Sequence, residues 1–152
     1  MIDIAVVSDA KTLTVIALKS KSYWGYSEEQ LNSWKHDLTV SKKMIQEMIV
    51  YKFISDAKIV GFYILNQPKE KRIELEFLFV LPSFIGKGIG NQLVQHAFEK
   101  AKSLKCNQVI LLADPHAVPF YESKGFVLIG KKESSIAGRF LPLMQKKLTT
   151  SL

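Results

Sequence analysis

The spacing of apolar and polar positions changes along this chain, and the changes divide it into elements. Ile2 to Val7 is a short apolar run ended by Ser8-Asp9, a pair suited to capping a helix, which predicts a strand and then a helix. Leu13, Ile16, Ala17 and Ser20 recur at helical spacing between Ala10 and Lys21, before Tyr23-Trp24-Gly25-Tyr26 interrupts them with an aromatic loop. Ser27-Glu28-Glu29-Gln30 combines a capping Ser with a Gln three residues on, so a second helix is expected to start there. From Met48 the pattern turns to alternation or continuous apolarity. Met48 to Ser55 and Lys58 to Leu65, split by Asp56-Ala57, read as a hairpin; Gln67 to Lys71 is a polar turn and Arg72 to Val80 a further strand. These strands follow one another without a helix between them, which predicts an antiparallel meander.

Beyond Pro82 comes Gly86-Lys87-Gly88-Ile89-Gly90. Ile89, Leu93, Val94, Ala97, Phe98, Ala101 and Leu104 then mark one face of a long amphipathic helix. Val109 to Ala113 reads as a buried strand, so strand, helix and strand form a parallel crossover. Ala117 to Lys124 is expected to be a short helix stopped at Gly125, where positive φ is needed. Phe126 to Gly130 and Phe140 to Leu148 supply the last strands. No repeat, low-complexity segment or linker interrupts the series.

Composition narrows the picture. A length of 152 residues suits one domain, 1–152, with a single core, and 47% hydrophobic against 23% charged residues is the balance of a globular protein. The first ten residues carry an early acid and no basic region, so they do not read as a signal peptide, and no apolar run approaches the ~18 residues of a membrane span. Cys106 is the single cysteine, which excludes an intramolecular disulfide framework and suits a reducing compartment; cytoplasm is the expectation. A net charge of +7 points to an anionic partner, either nucleic acid or a polyphosphate. The basic residues are scattered pairs, Lys42-Lys43, Lys71-Arg72, Lys131-Lys132 and Lys146-Lys147, rather than one stripe with interleaved aromatics. That argues against nucleic acid. No set of side chains has the spacing of a metal site.

The glycine segment carries the chemistry. Its G-x-G-x-G spacing matches neither a dinucleotide fingerprint nor a Walker loop. A strand, a Pro-containing turn and three close glycines opening a helix let successive N–H groups and the helix dipole converge on an anion. The competing reading is a tight strand-to-helix turn whose glycines only permit positive φ.

Leu78 to Leu93, running through Val80-Leu81-Pro82-Ser83-Phe84-Ile85 into the glycines, resembles the acetyl-CoA motif of the GNAT superfamily of N-acetyltransferases. Ala117-Val118-Pro119-Phe120-Tyr121-Glu122-Ser123-Lys124-Gly125-Phe126 is similar to that superfamily's A-x-x-F-Y-E-x-x-G-F segment. The likeness covers Ile59 to Gly130 well and the two ends only by element order. It implies an α+β fold with a mixed, mostly antiparallel sheet of about six or seven strands, splayed at the centre near Val80, with helices on both faces. It also implies acetyl-CoA as co-substrate. Leu78, Phe79 and Val80 would offer main-chain groups to the pantetheine arm, and Gly86, Lys87, Gly88, Ile89, Gly90 and Asn91 would cradle the pyrophosphate. Ile85 stands where the superfamily usually has Arg or Gln, so its backbone must replace a side-chain contact. Asp114-Pro115-His116 replaces the Asn often found before the second motif.

Aminolysis of a thioester expels a thiolate, and a phenol with reference pKa of about 10 can protonate it. Tyr121, within the second motif, is the candidate donor, against the plainer reading of a packed tyrosine with a wet hydroxyl. A primary amine arrives protonated, so a base is required. Glu76, a carboxylate in an apolar strand, is the candidate base, and Glu74 shares its face, where repulsion would lift one pKa or a lysine would pair one of them. Trp24 and Tyr26 are candidates for the acceptor wall or for a hydrophobic plug, and Arg139 for an acceptor carboxylate or a surface pair. His116 reads as an alternative base or a capping residue, and Cys106 as a small inert helix-end residue. The acceptor is then a small-molecule or peptide amine, with no nucleic acid or membrane partner and room for a homodimer. The rival reading is a CoA-binding sensor that needs neither Glu76 nor Tyr121.

Overall fold

The computed structural model describes residues 1–133 and 140–148. Their strands form a seven-stranded mixed sheet, ordered β1-β2-β3-β4-β5-β7-β6, mostly antiparallel with one parallel pair. The chain divides into two compact units, Met1–Leu65 with Phe77–Val94 and Asn66–Glu76 with Gln95–Leu152.

In the first unit, β1 (Ile2–Ile4), β2 (Ile49–Ser55) and β3 (Lys58–Leu65) pair antiparallel in sequence order. Asp56 and Ala57 close the β2–β3 hairpin at φ 49° and 62°, the left-handed pair whose twist matches that of the strands. From Val60 to Leu65, β3 is buried on both faces. Gly61 is needed there, because a Cβ would lie 3.0 Å from the carbonyl oxygen of Phe79. The first helix, α1 (Ala10–Ser22), packs Leu13, Ile16 and Ala17 toward β3 as the periodicity predicts.

Two local expectations fail here. The first strand stops at Ile4 instead of Val7, because Val7–Asp9 turns into a short 3-10 segment. Asp9 does not cap α1 with its side chain; its carboxylate accepts from the Val6 N–H at 2.9 Å and pairs with Lys52 at 2.7 Å. The Ser27 cap holds: its Oγ accepts from the Gln30 N–H at 3.1 Å, Gln30 Oε1 accepts from the Ser27 N–H at 3.2 Å, and α2 runs Glu28–Trp34. A further helix, α3 (Lys42–Glu47), was not foreseen. Its signal is Ser41, whose Oγ accepts from the Met44 N–H at 3.1 Å.

The fourth strand, β4 (Arg72–Val80), belongs to both units, as does α4 (Ile89–Ser103). In α4 the expected face is buried from Ile89 to Ala101, whereas Leu104 lies past the last turn and is 37% exposed. In the second unit, β5 (Gln108–Leu112) runs parallel to β4, β7 (Phe140–Lys147) antiparallel to β5, and β6 (Val127–Glu133) antiparallel to β7. The parallel register covers Arg72↔Gln108 to Glu74↔Ile110 and stops, although β4 continues through Leu75 and Glu76 and β5 through Leu111 and Leu112. The paired register of the two strands therefore ends at Glu74↔Ile110. A 3-10 turn at Pro115–Ala117 leads into α5 (Val118–Ser123). Gly125 terminates it at φ 94°, with the Phe126 N–H donating to the Tyr121 carbonyl at 3.1 Å.

Candidate active site

The glycine segment follows β4 through a 3-10 turn at Pro82–Phe84 and opens α4. Gly86 and Gly88 sit at φ 86° and 79°, a conformation that residues with a Cβ rarely adopt. Nothing lies within 4 Å of a Cβ built at either, so packing does not explain the glycines; the space beside them is open. None of the N–H groups from Gly86 to Asn91 makes a well-formed hydrogen bond with another described residue. The nearest donors, of Ile85 and Gln92, bond to the carbonyls of Pro82 and Gly88 at 3.2 and 3.1 Å. Among the described residues these six consecutive N–H groups at the start of a fifteen-residue helix have no backbone partner, an arrangement whose donors and helix dipole favour an anion.

Side chains add little to this cradle. Ile89 is buried at 5% exposure, so it brings only its backbone; Asn91 is exposed and Ile85 is 44% exposed. The Lys87 ammonium lies 5.1 Å from the centre of the Phe84 ring, beside the loop. Leu78, Phe79 and Val80 are half-buried on the strand that feeds it.

Tyr121 is buried on α5, with Phe120 and Phe126 edge-on to its ring at 5.3 and 5.5 Å. Burial first, and the Asp114 carboxylate second, push its phenol well above the ordinary value, so it stays protonated at neutral pH. Asp114 is a residue the motif reading passed over except as a substituted Asn. Its carboxylate accepts from the His116 N–H at 2.9 Å and meets His116 Nδ1 at 2.9 Å, which puts His116 in a capping turn.

Glu76 accepts from Asn66 Nδ2 at 3.1 Å. Partial desolvation first, then the Glu74 carboxylate beside it and a side-chain hydrogen bond with Glu74, raise its pKa; the Asn66 bond and Lys132 oppose them. The residue as a whole is exposed, so solvent screening moderates the rise. Sequence reasoning foresaw the Glu74 pairing by strand alternation. Asn66 and Lys132 were missed, and nothing in their local sequence marks them.

Among the substrate candidates, Tyr26 packs edge-on against buried Trp34 at 4.8 Å, with the Lys21 ammonium 5.5 Å from the centre of the Tyr26 ring. Trp24 is 38% exposed and meets Tyr23 edge-on at 5.1 Å. Arg139 lies outside the described residues. Cys106 is buried and free, its thiol pushed up by burial, which suits the inert role. Among the described residues no group of side chains could hold a metal ion, and no helix is long and apolar enough to cross a membrane.

A seven-stranded, mostly antiparallel sheet with a parallel β4–β5 pair, and a glycine loop that opens α4, match the fold of N-acetyltransferases. The chain belongs to the acetyltransferase (GNAT) domain family, whose model matches residues 24–148. It is 34% identical over 85 residues to the peptidyl-lysine N-acetyltransferase YjaB of Salmonella typhimurium, a match covering 56% of this chain and 54% of that protein. The Escherichia coli protein of the same name is 33% identical over 85 residues, covering 56% and 53%. The chain thus spans about half the length of the curated relatives it matches. In fold it is similar to the PaiA N-acetyltransferase of Thermoplasma acidophilum, solved with coenzyme A (TM-score 0.81, 24% identity, 97% of this chain and 98% of that one). It is also similar to a GCN5-related N-acetyltransferase from Rhodopseudomonas palustris (TM-score 0.83, 22% identity, 97% and 95%).

Proposed function

We propose that this chain transfers the acetyl group of acetyl-CoA to a primary amine, by direct attack in a ternary complex. The observation that carries the reading is the run of unsatisfied N–H groups from Gly86 to Asn91, which asks for a multivalent anion such as the CoA pyrophosphate. Leu78, Phe79 and Val80 would hold the pantetheine arm through their main chain. Glu76, its pKa raised by partial desolvation and by Glu74, would accept the proton of the incoming ammonium, directly or through water. The freed amine attacks the thioester carbonyl, the C–S bond breaks, Tyr121 gives its proton to the departing thiolate, and the proton still on the amide nitrogen passes through water to restore the phenol.

The acceptor is a small-molecule or peptide amine. The name of the relatives that are about one-third identical puts lysine peptides first in the panel to be tried. The family match runs through both compact units, which supports their working as one acetyltransferase domain. A buried free Cys106 suits a reducing compartment, and we place the activity in the cytoplasm. The test is thiol release from acetyl-CoA with lysine peptides, polyamines and aminoglycosides as acceptors. Amine-dependent release supports the proposal. Acetyl-CoA binding without turnover, unchanged in Tyr121→Phe, would favour a sensor, and no binding at all would end the CoA reading.

A further inference from the structure

Within the second unit a cavity of about 200 Å3 is lined by Gln95, Phe98, Lys102, Lys124, Lys146, Lys147 and Leu148. Four of its seven lining side chains are ammonium groups, and none is a carboxylate. It lies at the end of the sheet where β5 begins, since Lys147 is paired with Gln108. It shares no lining residue with the glycine loop or with Leu78, Phe79 and Val80.

Ordinary causes explain some of the cluster. Lys102 in the last turn of α4 and Lys124 at the end of α5 suit the negative ends of their helices. Lys102 also reaches Glu99 at 3.5 Å, a weak and exposed pair. Lys146 and Lys147 lie on a strand and have no such reason. The Lys146 ammonium is 5.2 Å from the centre of the Phe98 ring, and the missing side chain of Gly125 leaves room for it, since a Cβ there would run into its Nζ. Lys124, Lys146 and Lys147 have no carboxylate partner among the described residues. Like charges gathered in one concavity repel, which disfavours the arrangement unless an anion offsets it.

We propose that this cavity is a second anion site, for a small ligand carrying two or more phosphate charges. Its size decides against a nucleotide: cavities that enclose drug-sized ligands run from about 300 Å3 upward, and this one is smaller. The Gln95 amide adds an uncharged donor for an oxygen that the lysines leave free.

The test titrates inorganic pyrophosphate into the full chain by calorimetry, with coenzyme A saturating so that the glycine loop cannot be the binding site. One pyrophosphate per chain is expected, its affinity falling about tenfold or more in Lys124→Gln/Lys147→Gln, as the loss of charge-assisted hydrogen bonds demands. Coenzyme A affinity stays unchanged in the variant. Its unliganded melting temperature equals or exceeds that of the parent, because repulsion is relieved. No pyrophosphate binding, or binding indifferent to both substitutions, overturns the proposal. So does binding of an acidic peptide or DNA at this cavity with no binding of pyrophosphate.

Discussion

Replacing Gly86 or Gly88 by Ala separates a loop shaped for a ligand from one that merely turns. Both residues hold left-handed φ, 86° and 79°, where a Cβ costs roughly 1–2 kcal/mol. A Cβ at either meets nothing within 4 Å, so backbone strain is the whole perturbation, with no clash added. If the free loop relaxes to escape the strain, binding must restore the shape, and the affinity for coenzyme A falls by that amount. The expected loss is about 5- to 30-fold for each substitution. If the loop cannot relax, the same energy appears as lost stability. Gly25→Ala is the control, because Gly25 has φ 81° and nothing within 4 Å of its Cβ, but sits in the aromatic loop. It should cost similar stability and leave affinity unchanged. Calorimetric titration of coenzyme A and thermal unfolding of the three variants measure both quantities. Gly86→Ala and Gly88→Ala that match the parent in both, or a Gly25→Ala that weakens binding equally, would refute the reasoning.

Further expectations concern the titrating groups. Tyr121→Phe keeps the ring packing against Phe126 but removes the acid, so kcat should fall about 10²-fold or more, with little change in melting temperature. Glu76 is active when ionised, so kcat/KM rises with pH through its pKa. Glu74→Gln removes influences that raise that pKa and should move the limb to lower pH, whereas Asn66→Ala removes one that lowers it and should move the limb up. A pH–rate profile in which both variants overlay the parent would exclude Glu76 as the base. Burial raises both Tyr63 and Tyr121, so the folded state keeps two phenolic protons that the unfolded chain releases above about pH 10. Stability is complete below that pH and should drop by about 1.4 kcal/mol per pH unit per tyrosine above it. Urea unfolding of Tyr63→Phe should show a correspondingly shallower decline.

Much of this was legible in the chain because local chemistry and tertiary packing agree. The turn of the β2–β3 hairpin, the Ser27 capping box and the stop at Gly125 each rest on contacts within a few residues. What escaped depended on distant partners. Asp9 is drawn from its capping role by Lys52, forty-three positions away, and β1 is cut short beside it. In the candidate site, the free N–H groups and the Glu74–Glu76 coupling follow from glycine spacing and strand alternation. Asn66 and Asp114 act through side-chain placements that no periodicity encodes. The basic pair Lys146-Lys147 is ordinary as sequence; folding brings it beside Lys102 and Lys124.

The central claim is that the backbone from Gly86 to Asn91 grips the pyrophosphate of coenzyme A. Titrating coenzyme A into the ¹⁵N-labelled protein and following each amide in two-dimensional NMR tests it directly. The account predicts that the six amides from Gly86 to Asn91 shift together, saturating with the same affinity as calorimetry reports. Saturable binding that leaves those six amides unmoved would contradict it.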